Sequence, residues 1–112
     1  MNRNGKYNAK KTEVDGITFA SKKEAARYQD LKLMEKAGEI HDLELQPRFD
    51  LVVNDIKIGF YKADFQYDVP FVGNDNIPAV RIIEDAKGIK TPVYRLKKKL
   101  MKAIYGIEIQ EV

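Results

Sequence analysis

Asp85 and Lys87 stand two positions apart in Ile82-Ile83-Glu84-Asp85-Ala86-Lys87-Gly88. In a strand, alternate side chains share a face, and a rise of roughly 3.3 Å per residue puts the two Cα atoms about 6.6 Å apart. A carboxylate and a lysine so placed can jointly hold a cation and a water. The acid binds the metal, while the ammonium orients the water and offsets charge on a phosphate. Ile83 shares their face, and Ile82, Glu84 and Ala86 take the other. Period two therefore favours Asp85 over Glu84 as the ligand. Gly88 follows without a side chain, which lets a nucleic-acid backbone come close. Taken alone, D-x-K is far more often a surface strand with a cross-strand ion pair.

Two further carboxylates bear on that pair. Asp64, in Lys62-Ala63-Asp64-Phe65, falls on a predicted neighbouring strand. Antiparallel neighbours lie about 4.8 Å apart, close enough for Asp64 and Asp85 to share one ion in the right register. Glu24 has two readings. With Ser21 it forms a capping box worth about 1 kcal/mol, yet it also borders the buried stripe of its helix and can point into a site.

The elements that must position these residues follow from pattern. Residues 1–11 read as a flexible basic arm, and 12–112 as a single domain. Thr12 to Phe19 reads as a hairpin turning at Asp15-Gly16. Ser21 and Gly38 bracket a helix over about 22–37, with Ala25, Tyr28, Leu31 and Met34 as its buried stripe. Leu43, Leu45, Phe49, Leu51 and Val53 alternate as strand. Gln46-Pro47 between them predicts an edge position or an irregularity. After a turn at Asn54-Asp55 come strands over Ile56–Tyr67 and Val80–Lys87, separated by the loop Gly73-Asn74-Asp75-Asn76. Thr91-Pro92 opens a second helix over about 92–105. Its expected core face is Val93, Leu96, Leu100, Ala103 and Ile104, and Gly106 ends it. Ile107–Val112 reads as a last strand. Helix, three strands, helix, strand is an α/β (α+β) arrangement: one mixed sheet with helices packed on it. The link from Lys87 to Ile107 has the length of a right-handed βαβ crossover.

Composition narrows the chemistry. The chain has no cysteine and one histidine, His41, which removes thiolate sites and cysteine nucleophiles and disfavours a serine triad. A metal would be held by carboxylates, and so would be a hard cation such as Mg²⁺ or Mn²⁺. No run approaches the roughly 18 apolar residues of a membrane span. The net charge of +3 is unevenly spread: residues 39–85 hold ten carboxylates against four bases. Residues 90–102 carry Lys90, Arg95, Lys97, Lys98, Lys99 and Lys102 without an acid. Basic flanks around an acidic centre suit a polyanion held over a metal. Arg95 and Lys98 are candidate phosphate contacts beside Tyr94 and Met101. Phe49, Phe60 and Phe65 read as core, and His41 as a surface strand residue.

Glu in an N-terminal helix, then Asp, then D-x-K, then a basic helix resembles the PD-(D/E)xK nuclease superfamily. The α-β-β-β-α-β order is that superfamily's restriction-endonuclease-like core. More narrowly, Lys6-Tyr7-Asn8, Asp15-Gly16-Ile17-Thr18-Phe19, Ser21-Lys22-Lys23-Glu24-Ala25, Gln46-Pro47-Arg48-Phe49, Ala63-Asp64-Phe65, Glu84-Asp85-Ala86-Lys87-Gly88 and Val93-Tyr94-Arg95-Leu96-Lys97 resemble a family of small phage and prophage proteins, over nearly the whole chain. Glu24 with Gln46-Pro47 is also similar to transposon-end-cleaving endonucleases, and the core to Holliday-junction resolvases. The resemblance implies a DNA endonuclease working in the bacterial host cytoplasm, with Asp64 and Asp85 as ligands of Mg²⁺ or Mn²⁺. It makes Lys87 the water-orienting base, Glu24 an outer metal or water ligand, and Gln46, Arg95, Lys97 and Lys98 DNA contacts. Two positions depart from the motif: Ala63 replaces its leading proline, and Asp85 its commoner glutamate. A homodimer is expected if duplex or junction DNA is cut. A non-catalytic nucleic-acid-binding module and a phage structural protein are the alternative readings.

Overall fold

The computed structural model describes residues 11–70, 79–87 and 89–112. The basic arm up to residue 10, the loop at Gly73-Asn74-Asp75-Asn76 and Gly88 lie outside the described residues. Asp15 and Gly16 both take positive φ, 55° and 77°, as a type I′ turn requires. They close a hairpin of β1 (Thr12–Val14) and β2 (Ile17–Phe19). The Ser21 hydroxyl accepts the Glu24 N–H at 3.1 Å and starts α1 (Lys22–Lys36). Ala25, Tyr28 and Leu31 are buried, with Met34 packed beside them, so the stripe follows the helical period.

Five strands come next: β3 (His41–Leu45), β4 (Arg48–Val53), β5 (Ile56–Lys62), β6 (Phe65–Val69) and β7 (Val80–Asp85). Thr91 caps α2 (Pro92–Tyr105) by accepting the Tyr94 N–H at 3.1 Å. Gly106, with φ of 69°, ends the helix in the left-handed conformation that glycine takes most cheaply. A short β8 (Gln110–Glu111) follows. The main sheet has the order β3-β6-β7-β8. Its pairs are antiparallel except β7–β8, which is parallel, as a crossover through α2 demands. The fold is thus a mixed sheet with two helices. No helix among the described residues is long and apolar enough to cross a membrane.

Four expectations need correction. The long strands read over residues 43–53 and 56–67 are each cut in two. The outer halves, β4 and β5, form a separate two-stranded ribbon. The cut falls at Gln46, whose φ is 52°, and at Ala63–Asp64 opposite it. There the Gln46 N–H donates to the Asp64 carbonyl (2.9 Å) and the Ala63 N–H to the Pro47 carbonyl (3.0 Å). On α2, the residues facing inward are Tyr94 and Met101, helped by Leu100 and Ile104. Val93 and Leu96 are instead 62% and 56% exposed, because the narrow ribbon covers only one side of the helix. Tyr94 and Met101 therefore do not share a surface with Arg95. Phe65 is core and Phe49 packs at its edge, but Phe60 is 40% exposed, on the ribbon's outer face. The last strand is also shorter than the sequence suggested.

Two cores result. Phe19, Ala25, Tyr28, Leu31, Ile40, Phe65 and Tyr67 fill the space between α1 and the sheet. Leu51, Tyr61, Ala63, Ile83, Tyr94, Met101 and Ile109 fill the space under α2.

Candidate active site

The D-x-K segment lies where β7 ends. Glu84 and Asp85 are each 1% exposed and face opposite sides of the sheet, as period two requires. Glu84 is fully used. It accepts two hydrogen bonds from Arg27 of α1, at 2.8 and 2.6 Å, and a third from the Tyr67 hydroxyl. Asp85 faces the α2 side. Its Oδ2 accepts a hydrogen bond from the buried Tyr61 hydroxyl. Its Oδ1 is buried without a hydrogen-bond partner among the described residues. The Lys87 ammonium lies 3.6 Å from that same oxygen and 4.9 Å from the centre of the Tyr94 ring.

Asp64 sits at the break between β5 and β6. Phe65 pairs with Glu84, so the next step of the register puts Asp64 opposite Asp85. The Asp64 N–H donates to the Glu84 carbonyl (3.1 Å), and the Asp64 Oδ2 accepts the Ala86 N–H at 2.7 Å. Burial raises its carboxyl to about 8, and the neighbouring Asp85 adds to the rise against the pull of the Ala86 amide. Glu24 is 6% exposed. Its carboxyl is also raised, by burial first and by Asp85 second, while the Ala20 amide and Lys87 pull it down. Its backbone N–H is capped by Ser21, and its carboxylate sits in the field of Asp85 and Lys87. Glu24, Gln46 and Asp64, with Thr18, Phe19 and Leu45, line a cleft of ≈ 210 Å³.

These side chains can be tested against a divalent cation. A buried carboxylate oxygen that accepts no hydrogen bond is costly, and crowded acids repel. Both are relieved by a hard cation bound through oxygen. Mg²⁺ commonly takes one or two protein carboxylates and fills its remaining positions with water and substrate oxygens. Asp64 and Asp85 fit that donor set. Among the described residues no three acids or histidines are gathered into one cage.

The predicted DNA contacts divide. Arg95 is exposed, and Lys98 is held 3.2 Å from Glu111. Both line a cleft of ≈ 410 Å³ with Lys90, Lys99 and Lys102 over Ile107 and Ile109. Lys97 turns the other way, 5.2 Å from the Phe60 ring. Pattern reading missed Tyr61, Lys23, which donates to the Lys87 carbonyl at 3.2 Å, and Glu111, which accepts from Tyr94 (2.8 Å). Alternation marks Tyr61 as buried, but no local signal names the acid it meets 24 residues later. A larger cleft, ≈ 540 Å³ between β1 and α1, holds none of the residues above. Its Lys32 and Glu35 pair with each other.

Residues 4–110 match a protein family described as a protein of unknown function (DUF1064), and the chain belongs to that family. No curated protein and no solved structure matches.

Proposed function

We propose that this family member is a metal-dependent DNA endonuclease of the PD-(D/E)xK kind, phage-encoded and acting in DNA recombination, repair or processing in the bacterial host cytoplasm. The observation that carries the reading is the meeting of Glu24, Asp64 and the Asp85–Lys87 pair from three segments around a buried carboxylate, one oxygen of which accepts no hydrogen bond among the described residues and faces the Lys87 ammonium. Asp64 and Asp85 would hold Mg²⁺ or Mn²⁺, which would polarise the phosphodiester and make a water more acidic. Lys87 is placed to orient that water and to balance charge on the phosphate. The Tyr94 ring and Asp85 keep its ammonium on the site side. Glu24, with its carboxyl raised, suits the holding of a water and the uptake of a proton. Gln46 lines the same cleft, and Arg95, Lys97 and Lys98 supply phosphate contacts on either side of α2. Cutting both strands of a duplex calls for two active sites, so the proposal includes a homodimer.

The test is cleavage of supercoiled, linear and branched DNA with Mg²⁺ or Mn²⁺, repeated with EDTA. The wild-type chain should cut at least one form, EDTA should stop it, and Asp85→Asn should bind without cutting. Binding with no cleavage in either metal would leave a nucleic-acid-binding module. The cleft beside α2, where Arg95 and four lysines outnumber Glu108 and Glu111, favours that second reading, since it needs no aligned acids.

A further inference from the structure

The β4–β5 ribbon pairs through its backbone with neither of the other sheets, yet it springs from the residues that carry Asp64. Its inner face is accounted for. Leu51 and Tyr61 are buried under α2, and Phe49 lies 5.7 Å from the Tyr105 ring. Its outer face is not. The register places Arg48 opposite Lys62, Asp50 opposite Phe60 and Val52 opposite Lys57 on that side. Arg48 lies 4.1 Å over the Phe60 ring, and Lys97 of α2 approaches the same ring. Arg48 and Lys57 each stand 3.6 Å from Asp50, the face's single acid. Both are more than half exposed. A strip of cations interrupted by the exposed side chains of Val52 and Phe60 therefore runs from the tip of the ribbon to its root. At the root the Arg48–Lys62 rung is followed directly by Pro47, Ala63 and Asp64.

We infer that this outer face is a DNA-binding surface, on which a duplex lies with its backbone against Arg48, Lys57, Lys62 and Lys97 and with Phe60 against a sugar or base. The inference rests on the nuclease reading and adds to it the element that delivers the scissile bond. Charge complementarity selects the occupant, since four cations against one carboxylate repel a second copy of the same face and attract phosphate. Shape agrees. Six residues of strand reach about 20 Å, enough to run alongside several phosphates spaced about 3.4 Å apart along one strand. A backbone tracked down the strip arrives at Asp64.

The experiment compares the full chain with Arg48→Ala/Lys62→Ala and with Phe60→Ala. Duplex binding is measured in EDTA, so that nothing is cut, together with thermal melting, sedimentation and cleavage with Mg²⁺. Losing two phosphate contacts at about 0.9 each should lower the salt slope by about 1.8, so the wild-type advantage should shrink about twelvefold between about 50 and 200 mM salt. Phe60→Ala should weaken binding without changing the slope. Melting should be preserved in both, since these side chains are exposed. Wild-type affinity and slope in the double variant would overturn the inference. If the wild type still cuts DNA and Asp85→Asn does not, the nuclease reading would survive that result. A dimer that either variant turns into a monomer would assign the face to self-association and overturn the inference as well. A wild-type chain that neither binds nor cuts any DNA would remove the nuclease reading and this inference together.

Discussion

Arg27→Met removes the guanidinium that satisfies Glu84 and leaves a carboxylate with 1% exposure facing only Tyr67. Breaking a buried ion pair from one side typically costs about 3–5 kcal/mol, because the remaining charge is uncompensated. Here the Arg27 side chain is 27% exposed, so water reaches the vacated end, and Tyr67 still donates. The lower limit, about 3 kcal/mol, is the expected loss. At the entropy of unfolding usual for a chain of this size, each kcal/mol is worth about 4 °C, so melting should fall by about 12 °C. Urea denaturation and thermal melting both measure it. Adding Glu84→Gln removes the stranded charge and should recover more than half of the loss, since Gln can still accept from Tyr67. The consequence reaches the site, because α1 carries Glu24 three residues before Arg27 and β7 carries Asp85 next to Glu84. A loss below about 1 kcal/mol, or a double variant no more stable than the single one, would refute the view that this pair clamps α1 to β7.

Tyr61→Phe should keep the core but free Asp85 Oδ2; titration calorimetry with Mn²⁺ is expected to show affinity weakened by about tenfold or more, as for other residues that orient a ligand. Glu24→Gln separates capping from chemistry. The Ser21 bond is to the Glu24 backbone, so melting should hold within about 0.5 kcal/mol while cleavage falls at least about a hundredfold. Glu111 is held down at about 2, by Tyr94 first and then by Lys90 and Lys98. A depressed carboxylate stabilises the fold above its ordinary value and loses that contribution as pH falls toward 2. Glu111→Gln should therefore flatten the acid limb of a stability–pH curve and leave the difference constant above neutrality.

Local signals carried the helices and turns. Ser21 and Thr91 accept the hydrogen bonds expected of caps, and Asp15, Gly16, Asn54 and Asp55 all take the positive φ that the turns need. The opposite faces of Glu84 and Asp85 were likewise readable, since period two is a property of the backbone. What failed depended on neighbours far away in sequence. The apolar stripe Val93-Leu96 has helical spacing yet faces solvent, because tertiary packing rotates α2 toward Tyr94 and Met101. Tyr61 and Arg27 met their carboxylates only through folding, and no spacing rule couples positions 24 and 57 residues apart.

The most instructive case is an alternation that misleads while remaining perfect. Tyr61, Ala63, Phe65 and Tyr67 are all buried, which a single strand would achieve by facing one core. Yet Tyr61 and Ala63 pack under α2, and Phe65 and Tyr67 pack under α1, on the other side of the sheet. The chain must turn over between Ala63 and Asp64. The opposing strand does the same: Leu43 and Leu45 belong with α1, Phe49 and Leu51 with α2, and the reversal falls at Gln46 and Pro47. Hydrophobic periodicity cannot register a half-turn that restores the same phase. Positive φ at Gln46 costs a non-glycine residue about 1–2 kcal/mol, a cost borne at the rung where Gln46 bonds to Asp64. The reversal has a use. It takes Asp64 out of the alternation between two cores and turns its carboxylate to the end of β7, beside Ala86 and Asp85. The strained backbone, the split of the sheet and the meeting of the two acids are one structural event, and the proposed site exists because the hairpin does not continue straight.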